Sequence, residues 1–182
     1  MRKKIQLIDE LGVKRALTRL SFEIVEKASD INNLILVGIK TRGVPIARIL
    51  QKNIQKNSGV SLPLCELDIT FYRDDLSKLN ESPEVNSALF DRDINGKEII
   101  IVDDVLYTGR TVRAAIEAIF EHGRPSKIGL AVLIDRGHRE LPIRPDYIGK
   151  NVPTSRKESV KVNIKEVDGV TNVELYDNEQ AI

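Results

Sequence analysis

The chain has 182 residues, enough for one domain with a hydrophobic core, and its 41% hydrophobic content excludes disorder on grounds of composition. Its 28 basic and 27 acidic residues leave a formal net charge of +1, so no overall field attracts it to nucleic acid or to a membrane surface. The single cysteine excludes an intrachain disulfide, and no apolar run reaches the roughly 18 residues of a membrane span, so we expect a cytoplasmic protein.

The first half of the chain predicts two helices and two strands. Apolar residues at helical spacing predict a helix over residues 9–29, with Asp9 as its N-cap. A short apolar run predicts a buried strand over residues 34–39, and a turn at residues 41–43 leads into the second helix. The second strand is predicted over residues 64–72.

The second half predicts further strands that alternate with a helix. Residues 73–95 lack periodicity, and a loop of this length is typical of a functional segment. Strands are predicted over residues 98–105 and 127–134, with a helix from Thr108 to about residue 121 between them, and two short strands follow residue 157. This order predicts an α/β fold in a single domain over residues 1–182, with helices on both faces of a central parallel sheet.

Four polar residues lie at or just beyond the ends of predicted strands. They are Arg42, Arg73, Asp103 and Arg136. Ligands of such sheets bind beyond the carboxyl ends of the strands. We therefore expect these side chains to meet in one cleft.

The most informative pattern follows the third predicted strand. Residues 99–111 read Ile-Ile-Ile-Val-Asp-Asp-Val-Leu-Tyr-Thr-Gly-Arg-Thr, which places two acids and a short glycine-containing loop before a helix. The N-terminus of that helix supplies free N–H groups and a partial positive charge, and Gly109 allows the backbone to approach an anion. With hydroxyl groups at Thr108 and Thr111, the segment predicts a cradle for a phosphate monoester.

The two adjacent acids complete this predicted site. Ionised Asp103 and Asp104 accept hydrogen bonds only, which suits vicinal ribose hydroxyls or Mg²⁺. Each part of this pattern, taken alone, could equally be an ordinary strand end followed by an N-capped helix without a binding role. The full string is far more specific, and it contains neither a Walker A loop nor a GxGxxG motif.

This string resembles the signature of type I phosphoribosyltransferases for 5-phosphoribosyl 1-pyrophosphate (PRPP). Residues 40–43, 68–70, 72–77 and 135–143 resemble the PyrR family of bacterial pyrimidine operon attenuation proteins, which also show uracil phosphoribosyltransferase activity. The resemblance runs from about residue 7 to residue 176. It implies the type I phosphoribosyltransferase fold, with a small hood over the base built mainly from about residues 135–160 together with the N-terminal segment.

The resemblance implies transfer of phosphoribosyl from PRPP to uracil, giving UMP and pyrophosphate. Mg²⁺ is expected to bind mainly through PRPP, with Asp103 or Asp104 as alternative ligands. The expected catalytic residues are Asp103, Asp104 and Arg73, and the loop that carries Arg73 is expected to close and exclude water. The expected PRPP and UMP site comprises Lys40, Thr41, Arg42, Ile99, Ile100, Ile101, Val102, Asp103, Asp104, Val105, Leu106, Tyr107, Thr108, Gly109, Arg110 and Thr111.

Two of these positions carry a more specific expectation. The planar fork of Arg42 suits bidentate pairing with pyrophosphate oxygens. Tyr107 stands where phosphoribosyltransferases for 6-oxopurines usually have aspartate, which argues against hypoxanthine or guanine and leaves no obvious general base. Uracil specificity is expected from the hood, with Arg136, Gly137 and Ile143.

The near-neutral total hides uneven local charge. Residues 1–19 and residues 136–157 each hold six basic and two acidic residues, whereas residues 158–182 hold two basic and six acidic residues. On the first helix, Arg15, Thr18, Arg19 and Phe22 share one face, opposite the apolar stripe. Such a face is suited to bind phosphates and to stack an RNA base; a solvated face with Phe22 in a subunit contact is the alternative.

Family resemblance favours the RNA interpretation. PyrR proteins bind a hairpin in pyrimidine operon leader RNA, and uridine nucleotides promote this binding. The expected RNA-binding residues are Arg15, Thr18, Arg19, Phe22, His138, Arg139, Arg144 and Lys150. Family members often have histidine where this chain has Phe22, so this position is a departure.

Three functions therefore stay open at this point. One is a uracil phosphoribosyltransferase that also regulates through RNA, and the second is a nucleotide-sensing RNA regulator with negligible catalysis. The third is a salvage phosphoribosyltransferase without an RNA role. The resemblance also implies a homodimer or a higher homo-oligomer.

Overall fold

A computed structural model of the chain describes residues 2–69 and 93–177. The strands are β1 (Arg2–Ile8), β2 (Leu34–Ile39), β3 (Leu64–Leu67), β4 (Glu98–Leu106), β5 (Lys127–Asp135), β6 (Tyr147–Asn151), β7 (Glu158–Asn163) and β8 (Asn172–Asp177). The helices are α1 (Glu10–Lys27), α2 (Gly43–Ser58), α3 (Arg110–His122) and the short α4 (Lys165–Asp168), and a 3-10 turn spans Ile31–Asn33. The second predicted strand, expected over residues 64–72, ends at Leu67, since residues 68–69 are not in a strand. Residues 70–92, which include the end of that prediction, most of the long loop and Arg73, lie outside the described residues.

The main sheet has five parallel strands in the order β3-β2-β4-β5-β6. The α1 and α2 helices bury residues such as Leu17 and Leu50 in the core on one face, and α3 buries Ala115 and Ile119 in the core on the other. The sheet is therefore covered on both faces, as the runs of apolar residues in β2 and β4 predict. The predicted α/β fold is confirmed.

A second, antiparallel sheet has the order β1-β8-β7 and brings the two ends of the described chain together. The sequence patterns predicted β7 and β8 but missed β1 and β6. The β1 strand begins with three cations, and β6 is five residues long with Gly149 in its middle, so neither shows a clean apolar alternation.

Local signals at the helix ends behave as predicted. Asp9 is the N-cap of α1, and its Oδ1 accepts a hydrogen bond of 2.7 Å from the Gly12 N–H. Pro45 lies in the first turn of α2, where a missing N–H is tolerated. Across the described ranges, each helix is too short or too polar to span a bilayer.

Candidate active site

The turn between β2 and α2 lies directly against the carboxyl end of β4. A Cβ atom on Gly43 would overlap the carbonyl oxygen of Val102 and lie 3.3 Å from Asp103 Cα. A Cβ atom on Gly38 would lie only 2.7 Å from Val44 Cα. Because both glycines lack side chains, the turn that carries Arg42 can sit beside the two acids.

Asp103 and Asp104 are held by the backbone at the end of β4. Asp103 is 7% exposed, and its Oδ1 accepts a hydrogen bond of 2.9 Å from the Asp104 N–H. Asp104 is half-buried, and its Oδ1 accepts one of 2.8 Å from the Val105 N–H. Both carboxylates are thus oriented before any ligand arrives.

Burial governs the acid–base behaviour of this pair. Burial raises the pKa of Asp103 well above its usual range, and the neighbouring negative charge of Asp104 raises it further. Burial also raises the pKa of Asp104, but the Val105 N–H and the positive charge of Arg42 oppose that rise. Asp104 is therefore the more readily ionised of the two, with a cation nearby.

Arg42 follows β2 and makes a bidentate ion pair. Its Nε lies 3.0 Å from Asp168 Oδ2, and its Nη2 lies 2.7 Å from Asp168 Oδ1. The hydrogen bond to Asp168 raises the pKa of Arg42, and the charge of Asp104 acts in the same direction. Lys40 and Thr41 are exposed in the same turn, and the Lys40 Nζ lies 3.9 Å from Asp68 Oδ2.

The segment predicted to form a phosphate cradle is a tight turn between β4 and the N-terminus of α3. Gly109 has φ of +96°, a left-handed conformation that favours glycine, and immediately precedes Arg110, the first residue of α3. The first-turn N–H groups of a helix have no intrahelical acceptor, so Thr111 and its neighbours suit an anion. Thr108 Oγ1 accepts a weak bond of 3.4 Å from the Arg110 N–H.

Not every residue of the predicted nucleotide site faces a ligand. Ile99, Ile100, Ile101 and Val102 are at most 1% exposed and alternate between the cores on the two faces of the sheet. Leu106 is also buried. We therefore correct the expectation for these side chains: they pack in the core and deliver the loop, and direct contact is left to the residues at its open end.

The segment after β5, residues 136–143, lies against the loop between β4 and α3, and we call this segment the hood. It falls within the range of about residues 135–160 expected from the resemblance, whereas β6, in the same range, belongs to the main sheet. The Arg136 N–H donates to the Leu106 carbonyl at 3.1 Å, and the Glu140 N–H donates to the Thr108 carbonyl at 2.9 Å. A Cβ atom on Gly109 would lie 3.4 Å from Ile143 Cδ1. Hood and cradle are therefore one connected unit.

Arg136 and Tyr107 meet at the mouth of this unit. The guanidinium carbon of Arg136 lies 4.0 Å from the centre of the Tyr107 ring. Arg136 also donates to Thr154 Oγ1 at 3.2 Å and to the Glu158 carbonyl at 2.6 Å, so it is locked in place. Tyr107 is thus an aromatic ring whose face is covered by a cation.

Arg139 lies inside the hood rather than on an open surface. Its guanidinium donates to the carbonyls of Tyr107 at 2.8 Å and Ile143 at 3.0 Å, and to Asp135 Oδ2 at 2.6 Å. The His138 Nε2 lies 2.6 Å from the Thr154 carbonyl, and His138 has φ of +59°. Both side chains, expected on the RNA surface, are engaged in fixing the hood to its surroundings.

Of the residues expected to bind RNA on α1, Arg19 contacts β6. Arg19 donates two hydrogen bonds of 2.8 Å, to the carbonyls of Ile148 and Gly149, and also pairs with Glu23. Phe22 is 55% exposed and shares an open groove with Arg15, Thr18 and Arg19. Lys150 is exposed next to the β6 residues that Arg19 contacts, and Arg144 is exposed shortly before β6.

The donor set fits a metal that arrives with a phosphorylated substrate. Within residues 2–69 and 93–177, no group of three or more His, Cys, Asp or Glu side chains could by itself hold a metal ion. Asp103 and Asp104 offer hard oxygen donors in pairs, and Mg²⁺ commonly binds through one or two carboxylates plus substrate phosphates. The residues therefore fit Mg²⁺ that is bound chiefly through the phosphate oxygens of a ligand.

Two residues of this site were not predicted from the sequence. Asp168 pairs with Arg42, and Thr154 contacts both Arg136 and His138. Asp168 lies 126 residues from Arg42, and Thr154 lies 18 and 16 residues from Arg136 and His138. Both stand in segments of ordinary surface composition, so no local pattern marks them. Only the antiparallel sheet, which carries α4 back to the turn after β2, brings Asp168 to Arg42.

Comparisons with known proteins agree with this geometry. Residues 6–167 match the family model described as "Phosphoribosyl transferase domain". The "Bifunctional protein PyrR" of Clostridium perfringens is 56% identical over 98% of this chain and 100% of its own length. That of Caldicellulosiruptor bescii is 61% identical over 95% of each chain.

Solved structures of lower identity share the fold. A hypoxanthine phosphoribosyltransferase from Staphylococcus aureus superposes with a TM-score of 0.70 at 19% identity, covering 94% of this chain and 92% of the other. The Trypanosoma cruzi enzyme has a TM-score of 0.71 at 16% identity, covering 97% and 98%. Taken with the two close relatives, these findings show that the chain belongs to the PyrR family of phosphoribosyltransferases.

Proposed function

We propose that the protein transfers the phosphoribosyl group of PRPP to uracil, and that it binds pyrimidine operon leader RNA when UMP occupies the same site. The observation that carries this proposal is the contact between the three segments that follow the carboxyl ends of β2, β4 and β5. The turn after β2 abuts Asp103, and the hood after β5 abuts Gly109. A pyrophosphate, a ribose phosphate and a base need three such adjacent subsites.

Each subsite has a role in the proposed reaction. The bond between the ribose C1 and pyrophosphate breaks with positive charge developing on the sugar and negative charge on the leaving group. Asp103 and Asp104 bind the ribose hydroxyls, and Arg42 receives pyrophosphate oxygens. The first turn of α3 holds the 5-phosphate. Mg²⁺, when bound with PRPP, neutralises charge on the pyrophosphate.

Uracil is the base that the hood supports best. The Tyr107 ring, covered on one face by Arg136, occupies the place of the purine enzymes' aspartate. Uracil presents two carbonyls and a ring N–H, and we propose that the hood pairs them. The backbone of Gly137 and Ile143 is held in place there by Asp135, Leu141 and Arg139, so these residues shape the base site. Arg73 stays a proposed catalytic residue on sequence grounds alone, since it lies outside the described residues.

An assay with competing bases tests the enzymatic part. We expect UMP formation from uracil, and no product from hypoxanthine or guanine at equal concentration. Asp104→Asn is expected to reduce turnover strongly with an unchanged fold by circular dichroism. Wild-type turnover in that variant would contradict the assigned ribose contacts, and preference for a purine would contradict the base assignment.

We propose that RNA binds along α1 and β6. Arg15 and Lys150 supply phosphate contacts, and the exposed ring of Phe22 stacks an unpaired base. Arg19, which is paired with Glu23 and donates to the Ile148 and Gly149 carbonyls, holds β6 beside Thr18 and its neighbours on α1. Arg144 extends the same basic surface. We propose that His138 and Arg139 act on RNA through the shape of the hood, because their side chains are engaged within it.

The contact of hood and cradle supports regulation by UMP. The hood hydrogen-bonds to the backbone of Leu106, Tyr107 and Thr108, which belong to the proposed phosphate site. The hood leads through Arg144 to β6, against which α1 packs. UMP in the cradle therefore stabilises the segment that carries part of the RNA surface, which is a coupling between two sites.

A gel-shift titration of the RNA surface tests the regulatory part. Lys150→Ala is expected to weaken hairpin binding and to lower its salt dependence, because one phosphate contact is lost. Lys52→Ala provides a matched control, since Lys52 is an exposed lysine on α2, distant in sequence from the proposed surface. Equal affinities of the two variants would argue against the α1 and β6 surface.

A further inference from the structure

The proposed pyrophosphate residue is already held by a carboxylate from the far end of the chain. Asp168, the last residue of α4, accepts two hydrogen bonds from the Nε and Nη2 edge of Arg42, at 3.0 and 2.7 Å. Such a fork-to-fork pair fixes the guanidinium in orientation as well as in position. The two side chains are 30% and 14% exposed, so the pair is largely shielded from solvent.

Asp168 is itself anchored before it meets Arg42. Its Oδ2 accepts a hydrogen bond of 2.9 Å from the Ile164 N–H, and its own N–H donates to the Ile164 carbonyl at 2.7 Å. The hydrogen bond from Arg42 also lowers the pKa of Asp168, which keeps the carboxylate ionised. The antiparallel sheet thus presents a fixed negative group to the turn after β2.

The remaining donors of Arg42 stay available to a ligand. A guanidinium has five N–H groups, and Asp168 takes one from Nε and one from Nη2. Among the described residues, Asp168 is the one acceptor paired with Arg42. Arg42 immediately precedes Gly43, which packs against Asp103. The positive charge of Arg42 also opposes the rise that burial causes in the pKa of Asp104. The N–H groups of Arg42 that Asp168 does not use are therefore held beside Asp103 and Asp104, the proposed ribose contacts.

We propose that Asp168 is the positioning residue for Arg42, holding one edge of its guanidinium so that the other edge receives the pyrophosphate of PRPP. This inference rests on the proposed function, because it takes Arg42 as the pyrophosphate contact. A freely rotating arginine loses side-chain entropy when it binds, and a preoriented arginine has already lost it. Asp168 therefore strengthens the binding of ligands that carry pyrophosphate and does not affect binding of a monophosphate at the first turn of α3.

Asp168→Asn tests the proposal, because asparagine keeps the size and removes the charge. We expect the KM for PRPP and the inhibition constant of pyrophosphate to rise by on the order of 10- to 100-fold, a range typical of a displaced binding group. We expect the KM for uracil and the dissociation constant of UMP, which has no pyrophosphate, to stay within about twofold of wild type. Asp168→Glu is expected to recover part of the loss.

The chain offers a matched control on the same short helix. Glu166 pairs with Arg48 and so joins α4 to α2 as Asp168 does, without contacting Arg42. Glu166→Gln is expected to leave both pyrophosphate-dependent constants unchanged. In an Arg42→Ala background, Asp168→Asn is expected to add no further loss, since a positioning residue has nothing left to position.

The outcomes separate this inference from the function on which it rests. Wild-type protein that binds neither PRPP nor pyrophosphate in calorimetry would overturn both. Wild-type binding together with an unchanged or a tighter PRPP affinity in Asp168→Asn would overturn the inference alone, because Asp168 would then be neutral or a competitor for Arg42. An equal loss of UMP affinity would also overturn it, since the effect would not be specific to pyrophosphate.

Discussion

The tight glycine packing at the carboxyl end of the sheet gives a quantitative prediction for Gly38→Ala. The new Cβ atom would lie 2.7 Å from Val44 Cα and 3.0 Å from the Gly43 carbonyl oxygen. Non-bonded carbon atoms prefer about 3.5–4.0 Å, so the turn must shift by roughly 1 Å. The turn cannot move away freely from the new Cβ atom, because Gly43 in the same turn is already packed against Val102.

The shift has a stability cost and a functional cost. Overpacking of this kind destabilises a protein by about 1–3 kcal/mol, which lowers Tm by several degrees in a chain of this size. A displacement of about 1 Å in a positioned group lowers kcat/KM by about 100-fold. We expect that loss to fall mainly on the KM for PRPP, because Arg42 lies in the displaced turn.

Gly59→Ala is the matched control for lost stability. Gly59 caps the far end of α2 with φ of +77°, and a Cβ atom added there would meet nothing within 4 Å beyond its chain neighbours. Alanine at this position therefore adds backbone strain of about 1–2 kcal/mol without a clash. Steady-state kinetics and thermal unfolding of both variants decide the matter. If Gly38→Ala keeps the kcat/KM of Gly59→Ala, the packing of this turn does not position the site.

Three other variants test the acids, the hood and the RNA surface. Asp103→Asn is expected to abolish turnover yet raise Tm at neutral pH. Folding raises the pKa of Asp103, so this residue stabilises the wild type below the unfolded-state pKa of about 3.9 and loses that effect as pH rises through its folded-state pKa. A Tm difference between variant and wild type that does not grow between about pH 4 and pH 8 would contradict this. Arg139→Ala removes five hydrogen bonds that hold the hood and is expected to raise the KM for uracil more than the KM for PRPP in initial-rate measurements. Equal effects on the two constants would count against a hood role. Phe22→Ala is expected to weaken hairpin binding by about 1–3 kcal/mol in gel shifts, the worth of one stacked base, while Phe22→His retains most of it, and full affinity in the alanine variant would assign Phe22 to another contact.

Local patterns sufficed for most of the main sheet and for the phosphate cradle. The apolar runs in β2, β4 and β5 have the length and flanks of buried parallel strands, and Gly109 and the two acids lie where a strand meets a helix. These features depend on residues close together in sequence, so local patterns reveal them directly. The family resemblance added the assignment of base and RNA.

The parts that escaped prediction depend on residues far apart in sequence. β1 is recognisable only through its pairing with β8, and Asp168 only through the antiparallel sheet that brings α4 to Arg42. Arg139 looks like a surface cation in a basic segment, but the fold surrounds it with five acceptors. Composition alone does not distinguish a cation that faces solvent from one that holds a loop.

One nucleotide site is proposed to serve both the reaction and the control of RNA binding. Gel-shift titration of a pyrimidine operon leader hairpin, with and without saturating UMP at one stated salt concentration, tests this dual role. We expect specific binding that becomes tighter with UMP. An RNA affinity that is identical with and without UMP would contradict control of the RNA surface by the nucleotide site.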